Sequence, residues 1–135
     1  MIEFVVRPIG RVSSPLVQRS EAPRQGDEGA PEAELELDPS LADALVGVAV
    51  GDEVLVLTWL HEAERDVLTV HPRGDARRPV AGVFATRSPG RPNPIGIHRV
   101  QVLGIDGTRL RVGGLEAIDG TPVVDLKPVL ESDGR

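Results

Sequence analysis

Cysteine and tyrosine are both missing from this chain, and Phe4, Trp59 and Phe84 are its only aromatic residues. Without a thiol there is no disulfide framework, no thiolate nucleophile and no cysteine-bearing metal site. His61, His71 and His98 are scattered without ligand spacing, so no structural zinc is expected. Proteins that hold single-stranded nucleic acid stack bases on several exposed rings, and few rings are on offer. A formal net charge of −6 also disfavours nonspecific contact with a polyanion. No stretch approaches the ~20 apolar residues of a membrane span. Met1-Ile2-Glu3-Phe4 lacks the basic start and apolar segment of a signal peptide. The cytoplasm is the expected location, with no membrane partner.

What is present suits one domain over residues 1–135. At this size roughly two-thirds of the unfolded surface can be buried. The charge is unevenly spread: Glu21 to Glu53 holds ten acidic residues against Arg24, whereas Arg73 to Arg99 holds six arginines against Asp75. A local basic face is therefore compatible with an acidic protein.

The patterning is mainly β. Phe4 to Val12 reads as a broken or edge strand because of Pro8. Gln18 to Pro31, polar and rich in Gly and Pro, predicts a long loop. Glu34-Leu35-Glu36-Leu37 alternates as a strand with one wet face. Asp38 as cap, Pro39 and the Leu41, Ala44, Leu45 stripe predict one short helix ending near Gly47. Glu53 to Leu60 predicts a central strand covered on both faces. Further strands are expected at Val67–His71, at Ile95–Ile105 turning through Asp106-Gly107 into Thr108–Val112, and at Pro122–Leu126. About seven strands and one helix favour a small antiparallel β-barrel or sandwich, since a parallel sheet needs alternating helices.

Two constellations stand out from this background. In Phe84-Ala85-Thr86-Arg87-Ser88-Pro89-Gly90-Arg91-Pro92-Asn93-Pro94-Ile95-Gly96, three prolines each set φ near −65° and push the preceding residue toward extended backbone. Arg87, Arg91 and Asn93 thus sit on a stiff frame suited to gripping an anionic or polar ligand with little entropy loss. An ordinary proline-rich turn with solvated arginines is the other reading. Asp119-Gly120-Thr121-Pro122 is turn chemistry, either a hairpin corner or part of a site. Asp125 and Lys127 share a strand face, where a simple salt bridge would account for both.

Gly82 to Pro89, Arg91 to Gly96, Asp119 to Pro122 and Asp125-Leu126-Lys127-Pro128 together resemble the signature of the TsaA-like (YaeB, TrmO) family. Pro8-Ile9-Gly10 with Ser14-Pro15, Pro23-Arg24-Gln25 and Trp59 to Asp66 follow in the family order, so the likeness covers nearly the whole chain. It implies a small β-barrel methyltransferase that uses S-adenosylmethionine. It also implies a homodimer with the cofactor near the subunit interface, acting on the exocyclic amine of threonylcarbamoyl-modified adenosine beside the tRNA anticodon.

Matched residue by residue, the cofactor contacts fall on Pro23, Arg24, Gln25, His61, Glu62, Arg87, Ile97, Asp119, Gly120, Thr121 and Pro122. Arg91, Asn93 and Lys127 fall on the substrate side. Arg24 or Arg87 can grip the methionyl carboxylate, and Asp119 or Glu62 can take ribose hydroxyls or the amino group. Asp125, or His98 if it faces inward, can accept the proton that the attacking nitrogen loses, although His98 on a strand also reads as a packing residue. The chain departs from many relatives at Val129, where they carry Tyr, and it stops at Arg135, where some bacterial members continue into a further domain. Three functions remain open: the tRNA methyltransferase, a methyltransferase for a small molecule or another nucleoside, and a noncatalytic module that senses S-adenosylmethionine.

Overall fold

The structure, a computed structural model, describes residues 2–15 and 32–130. Its strands are β1 (Gly10–Ser13), β2 (Ala33–Leu37), β3 (Glu53–Trp59), β4 (Thr69–Val70), β5 (Ala81–Gly82), β6 (Ile95–Asp106), β7 (Arg109–Gly113) and β8 (Pro122–Pro128). Six of them close into an antiparallel barrel in the order β1-β2-β7-β6-β3-β8, while β4 and β5 form a separate ribbon. Of the antiparallel barrel and sandwich that the patterning allows, the barrel is therefore the one present. The ring has six strands, because Val67–His71 contributes only the two-residue β4 and pairs away from it.

Alternation decides which face fills the barrel. In β6 every second residue from Gly96 to Val102 is buried, and in β3 Val54, Val56 and Thr58 point the same way. These meet Val12, Leu35, Leu110, Val112 and Val123 in one core. Six strands enclose a narrower interior than eight, which suits β-branched and aliphatic side chains. The three aromatic residues accordingly lie outside it, with Phe4 and Phe84 each 86% exposed. The two-sided burial expected for β3 is half realised. Its inner face is buried while Leu55, Leu57 and Trp59 are half-buried on the outer face, because a closed ring has one inside.

One other expectation is corrected and one is refined. Residues 2–9 join no strand, and the pairing expected from Phe4 begins at Gly10. Pro8 has no N–H to give a ladder, and the first attachment is Ile9, which donates to Val123 and accepts from Asp38. The short helix is a 3₁₀ segment, Pro39–Leu45, with a kink at Leu41. Asp38 caps it as expected, accepting the Ser40 N–H at 2.9 Å, and this bond holds the Asp38 carboxyl below its ordinary range. None of its residues is buried, although Leu45 packs at the margin of the core. The Gln18–Pro31 loop lies almost wholly within residues 16–31, outside the described residues. No helix among the described residues is long and apolar enough to cross a membrane.

Candidate functional site

Thr58, near the end of β3, is opposite Gly96 of β6 on one side and Val123 of β8 on the other. The starts of β6 and β8 are therefore two strand spacings, roughly 10 Å, apart. The loop ending at Pro94 enters β6 at this rim, and the turn containing Asp119 enters β8 there. The 60–68 segment leaves β3 at the same rim, as does the exit of β1 at Ser13, which is opposite Glu34 at the entry to β2. The two constellations singled out in the sequence, far apart along the chain, thus flank one strand end.

The arginine-proline loop is pinned from inside and outside. The Arg91 guanidinium turns inward, donating from Nη1 to the Thr86 and Ser88 carbonyls at 3.1 and 3.2 Å. Its Nη2 donates to Thr86 and Val83 carbonyls. Outside, Arg65 donates from Nε to the Pro92 carbonyl at 2.7 Å and from Nη2 to Asn93 Oδ1 at 2.8 Å. The same guanidinium lies 5.1 Å from the centroid of the Trp59 ring, a cation–π arrangement. Backbone bonds from Arg91 to the Glu64 carbonyl and from Leu60 to the Pro94 carbonyl tie the loop to the segment bearing His61 and Glu62.

These contacts separate the two loop arginines. Arg91, matched to the substrate side, spends its donors on carbonyls of its own loop. Arg87 is exposed and makes no hydrogen bond or ion pair among the described residues. It is the guanidinium that the loop presents. Asn93 is exposed but its carbonyl oxygen is taken by Arg65. Sequence reasoning does not find the role of Arg65, which stands out only as one residue of Trp59 to Asp66. Its spacing from Pro92 carried no signal.

The Asp119 corner has turn chemistry but is not a hairpin corner, because β8 pairs with β1 and β3 and not with β7, the strand before it. Asp119 Oδ1 accepts the Ser14 N–H at 3.0 Å, and Thr121 Oγ1 donates to the Ile118 carbonyl at 2.7 Å. Gly120, at φ 83°, adopts the left-handed backbone that favours glycine and donates to the Val12 carbonyl. Asp119 and Gly120 remain exposed, so the corner is both a structural clasp and an open edge of the rim. It grips the chain where it enters residues 16–31. Pro23, Arg24 and Gln25 belong to that segment and lie outside the described residues.

The remaining matched residues lie elsewhere. Ile97 is on the outer face of β6 opposite Leu57, next to the pair of Ile95 and Trp59, and Ile95 and Ile97 are 45% and 38% exposed. Lys127 is opposite Leu55, roughly 17 Å along β8 from Pro122 at the usual rise per residue. It pairs with Asp125 at 3.1 Å, the salt bridge that their shared face suggested. Asp125 Oδ1 also accepts the Leu126 N–H. His98 does face inward, yet both ring nitrogens are engaged: Nε2 lies 2.8 Å from Thr58 Oγ1 and Nδ1 lies 2.7 Å from Glu116 Oε1. With the ring 6% exposed, its nitrogens are turned to Thr58 and Glu116 and not to a methyl-accepting substrate at the surface. Glu116 had no role in the sequence reading. Its signal is a lone carboxylate between Leu115 and Ala117, both buried.

A closed antiparallel barrel whose distant polar loops converge at one rim defines a small β-barrel domain with a loop-built site. The chain belongs to the family of the tRNA-methyltransferase O N-terminal domain, whose family model matches residues 11–133. It is 48% identical over 130 residues to a probable S-adenosyl-L-methionine-binding protein of Methanothermobacter thermautotrophicus, covering 96% of this chain and 93% of the relative. An S-adenosyl-L-methionine-binding protein of Archaeoglobus fulgidus is 42% identical over 124 residues, covering 92% and 88%. The crystal structure of TrmO from Pseudomonas aeruginosa superposes with a TM-score of 0.78 at 33% identity, covering 98% of this chain and 58% of that one. This chain thus spans little more than half the length of that solved protein.

Proposed function

We propose that the chain binds S-adenosylmethionine at the loop-bearing rim and methylates the exocyclic amine of threonylcarbamoyl-modified adenosine next to the tRNA anticodon. The observation that carries the reading is the pairing of Thr58 with both Gly96 and Val123, which sets the arginine loop and the Asp119 corner around one strand end. The names of the relatives, S-adenosylmethionine-binding proteins, support the choice of ligand.

The rim residues fit such a ligand. Arg87, without a partner among the described residues and mounted on a braced loop, suits a carboxylate, which a guanidinium grips through two parallel bonds. Exposed His61 and the open Asp119 corner supply polar groups for the hydroxyl and amino ends. Bound S-adenosylmethionine supplies a methyl group already activated for nucleophilic attack. The chain contributes alignment, an effect worth roughly 7–11 kcal/mol when geometry is well set. Arg91 and Arg65 serve that end by stiffening the loop.

Ile97 is on the outer face of β6, opposite Leu57 and beside the pair of Ile95 and Trp59. We propose that a second copy covers this patch, so that a homodimer brings Ile97 to the edge of a shared site. For the tRNA, Arg73, Arg77 and Arg78 are exposed on the 71–80 excursion.

One observation favours a small acceptor as the second reading. Arg77 and Arg78 lie within 3.0 and 4.0 Å of Asp75, Arg99 is paired with Glu53, and Arg91 is turned inward, so the basic segment is partly neutralised. Nucleoside mass spectrometry of tRNA from cells with and without the protein decides between them. Loss of the methylated threonylcarbamoyl-adenosine supports the tRNA substrate, and its persistence favours the small acceptor.

A further inference from the structure

Among the described residues the barrel interior is aliphatic apart from Thr58, His98 and Thr121, and His98 is its one ionisable residue below a tenth exposed. Thr58 Oγ1, His98 and Glu116 form a continuous polar chain of 2.8 and 2.7 Å contacts. A carboxylate accepts only, so Nδ1 of His98 carries a proton toward Glu116 in either charge state of the ring. The Thr58 hydroxyl can donate to or accept from Nε2 as that state requires. Glu116 is 16% exposed at its side chain, so the chain is largely shielded from water.

The three residues come from three of the pieces that meet at the rim. Thr58 is the β3 residue opposite both Gly96 and Val123. His98 is in β6, two positions beyond Gly96, where the arginine loop joins the sheet. Glu116 is in the irregular stretch between β7 and β8 that leads to Asp119. Leu115 and Ala117 bury against the core and set the depth of that stretch. Apolar burial is nondirectional, whereas the Glu116 to His98 bond fixes position along the barrel wall. Gly96 is an independent sign that the chain is built in: a Cβ there would stand 2.5 Å from Thr58 Oγ1 and 2.8 Å from His98 Nε2. The glycine closing the Pro94-Ile95-Gly96 run leaves room for this network.

We propose that Glu116 and His98 are positioning residues that set the separation of the arginine loop and the Asp119 corner from inside the barrel, without touching a ligand. The inference rests on the reading that S-adenosylmethionine is held between those two elements.

The test uses the whole chain and two readouts. Amide hydrogen exchange across residues 114–121, without ligand, reports the link itself. In Glu116→Ala, exchange there rises about tenfold, and in Glu116→Gln, which keeps an acceptor for Nδ1–H, it stays within about threefold of wild type. Calorimetry then measures S-adenosylmethionine affinity, which falls about tenfold in Glu116→Ala and is rescued in Glu116→Gln. Thr58→Val, close to isosteric, serves if Glu116→Ala does not fold, and it shows the same direction in both readouts. Unchanged exchange in the folded variants overturns the link. Faster exchange with unchanged affinity reduces the network to a structural role and overturns the proposal. A wild-type protein that does not bind S-adenosylmethionine sinks the site reading, while the exchange data still judge the link.

Discussion

Arg65 Nη2 and Asn93 Oδ1 are joined by a 2.8 Å hydrogen bond across the rim of the barrel. The stiffness of the arginine-proline loop therefore does not come from proline alone. A second arginine, from a different segment, braces the loop against Trp59, and Arg91 braces it from beneath.

The two loop arginines should separate cleanly on substitution. Arg87→Ala leaves the stability of the ligand-free protein within about 0.5 kcal/mol of wild type, because nothing among the described residues depends on it. It loses most of the stabilisation that S-adenosylmethionine gives, which for wild type is ~2.7 kcal/mol at 100 times the dissociation constant. Arg91→Met strips donors from three carbonyls and lowers ligand-free stability by about 1–3 kcal/mol. Thermal unfolding of both variants, with and without ligand, checks the contrast.

Arg65→Lys keeps the charge but loses the planar fork that reaches Pro92 and Asn93 together. The variant folds, its Trp59 fluorescence changes, and proteases cut the 86–94 loop faster than in wild type. Unaltered proteolysis would show that the prolines suffice.

Gly96→Ala drives a methyl group into the Thr58 hydroxyl and the His98 ring. The cost should be about 1–3 kcal/mol in urea unfolding, the range for overpacking a filled interior. A neutral result would mean that the strand shifts aside.

Glu53 and Arg99 are paired across β3 and β6 at 2.8 Å. The bond from Arg99, then its charge, holds the Glu53 carboxyl below its ordinary value of 4.5. A carboxyl lowered in the folded state contributes stability above its ordinary value and loses it as pH falls through the folded one. Arg99→Gln should thus be less stable than wild type near about pH 7, with the gap closing as pH drops below about 4.5 and narrowing in high salt. Urea unfolding across pH measures it.

Ile97→Lys places a charge on the apolar outer patch of β6. If a second copy covers that patch, sedimentation shows the dimer replaced by a monomer while the barrel remains folded. A variant that stays dimeric moves the interface elsewhere.

Much of this molecule is legible residue by residue. Alternation in Glu34–Leu37 specifies which side chains turn inward, and Asp106-Gly107 specifies where the longest strand folds back, whereas Ile95 and Ile97 face outward and Gly96 and His98 inward, which their hydropathy does not foretell. Proline geometry in the 89–94 stretch and the Asp119-Gly120 pair specify the two rim turns. The short helix capped by Asp38 is present at Pro39–Leu45 and takes the 3₁₀ form, since none of its residues is buried and a capped 3₁₀ turn satisfies the same local bonds.

Local chemistry acts within a few residues, so the chain alone settles strands, turns and the sign of each side chain's preference for water. It cannot distinguish Arg87 from Arg91, two guanidiniums on one loop. That choice belongs to the folded barrel, where the Val83, Thr86 and Ser88 carbonyls converge on Arg91 and leave Arg87 facing solvent. The closure of six strands likewise decides that Thr58 meets both Gly96 and Val123, since only long-range pairing can bring segments from opposite ends of the sequence onto one rim.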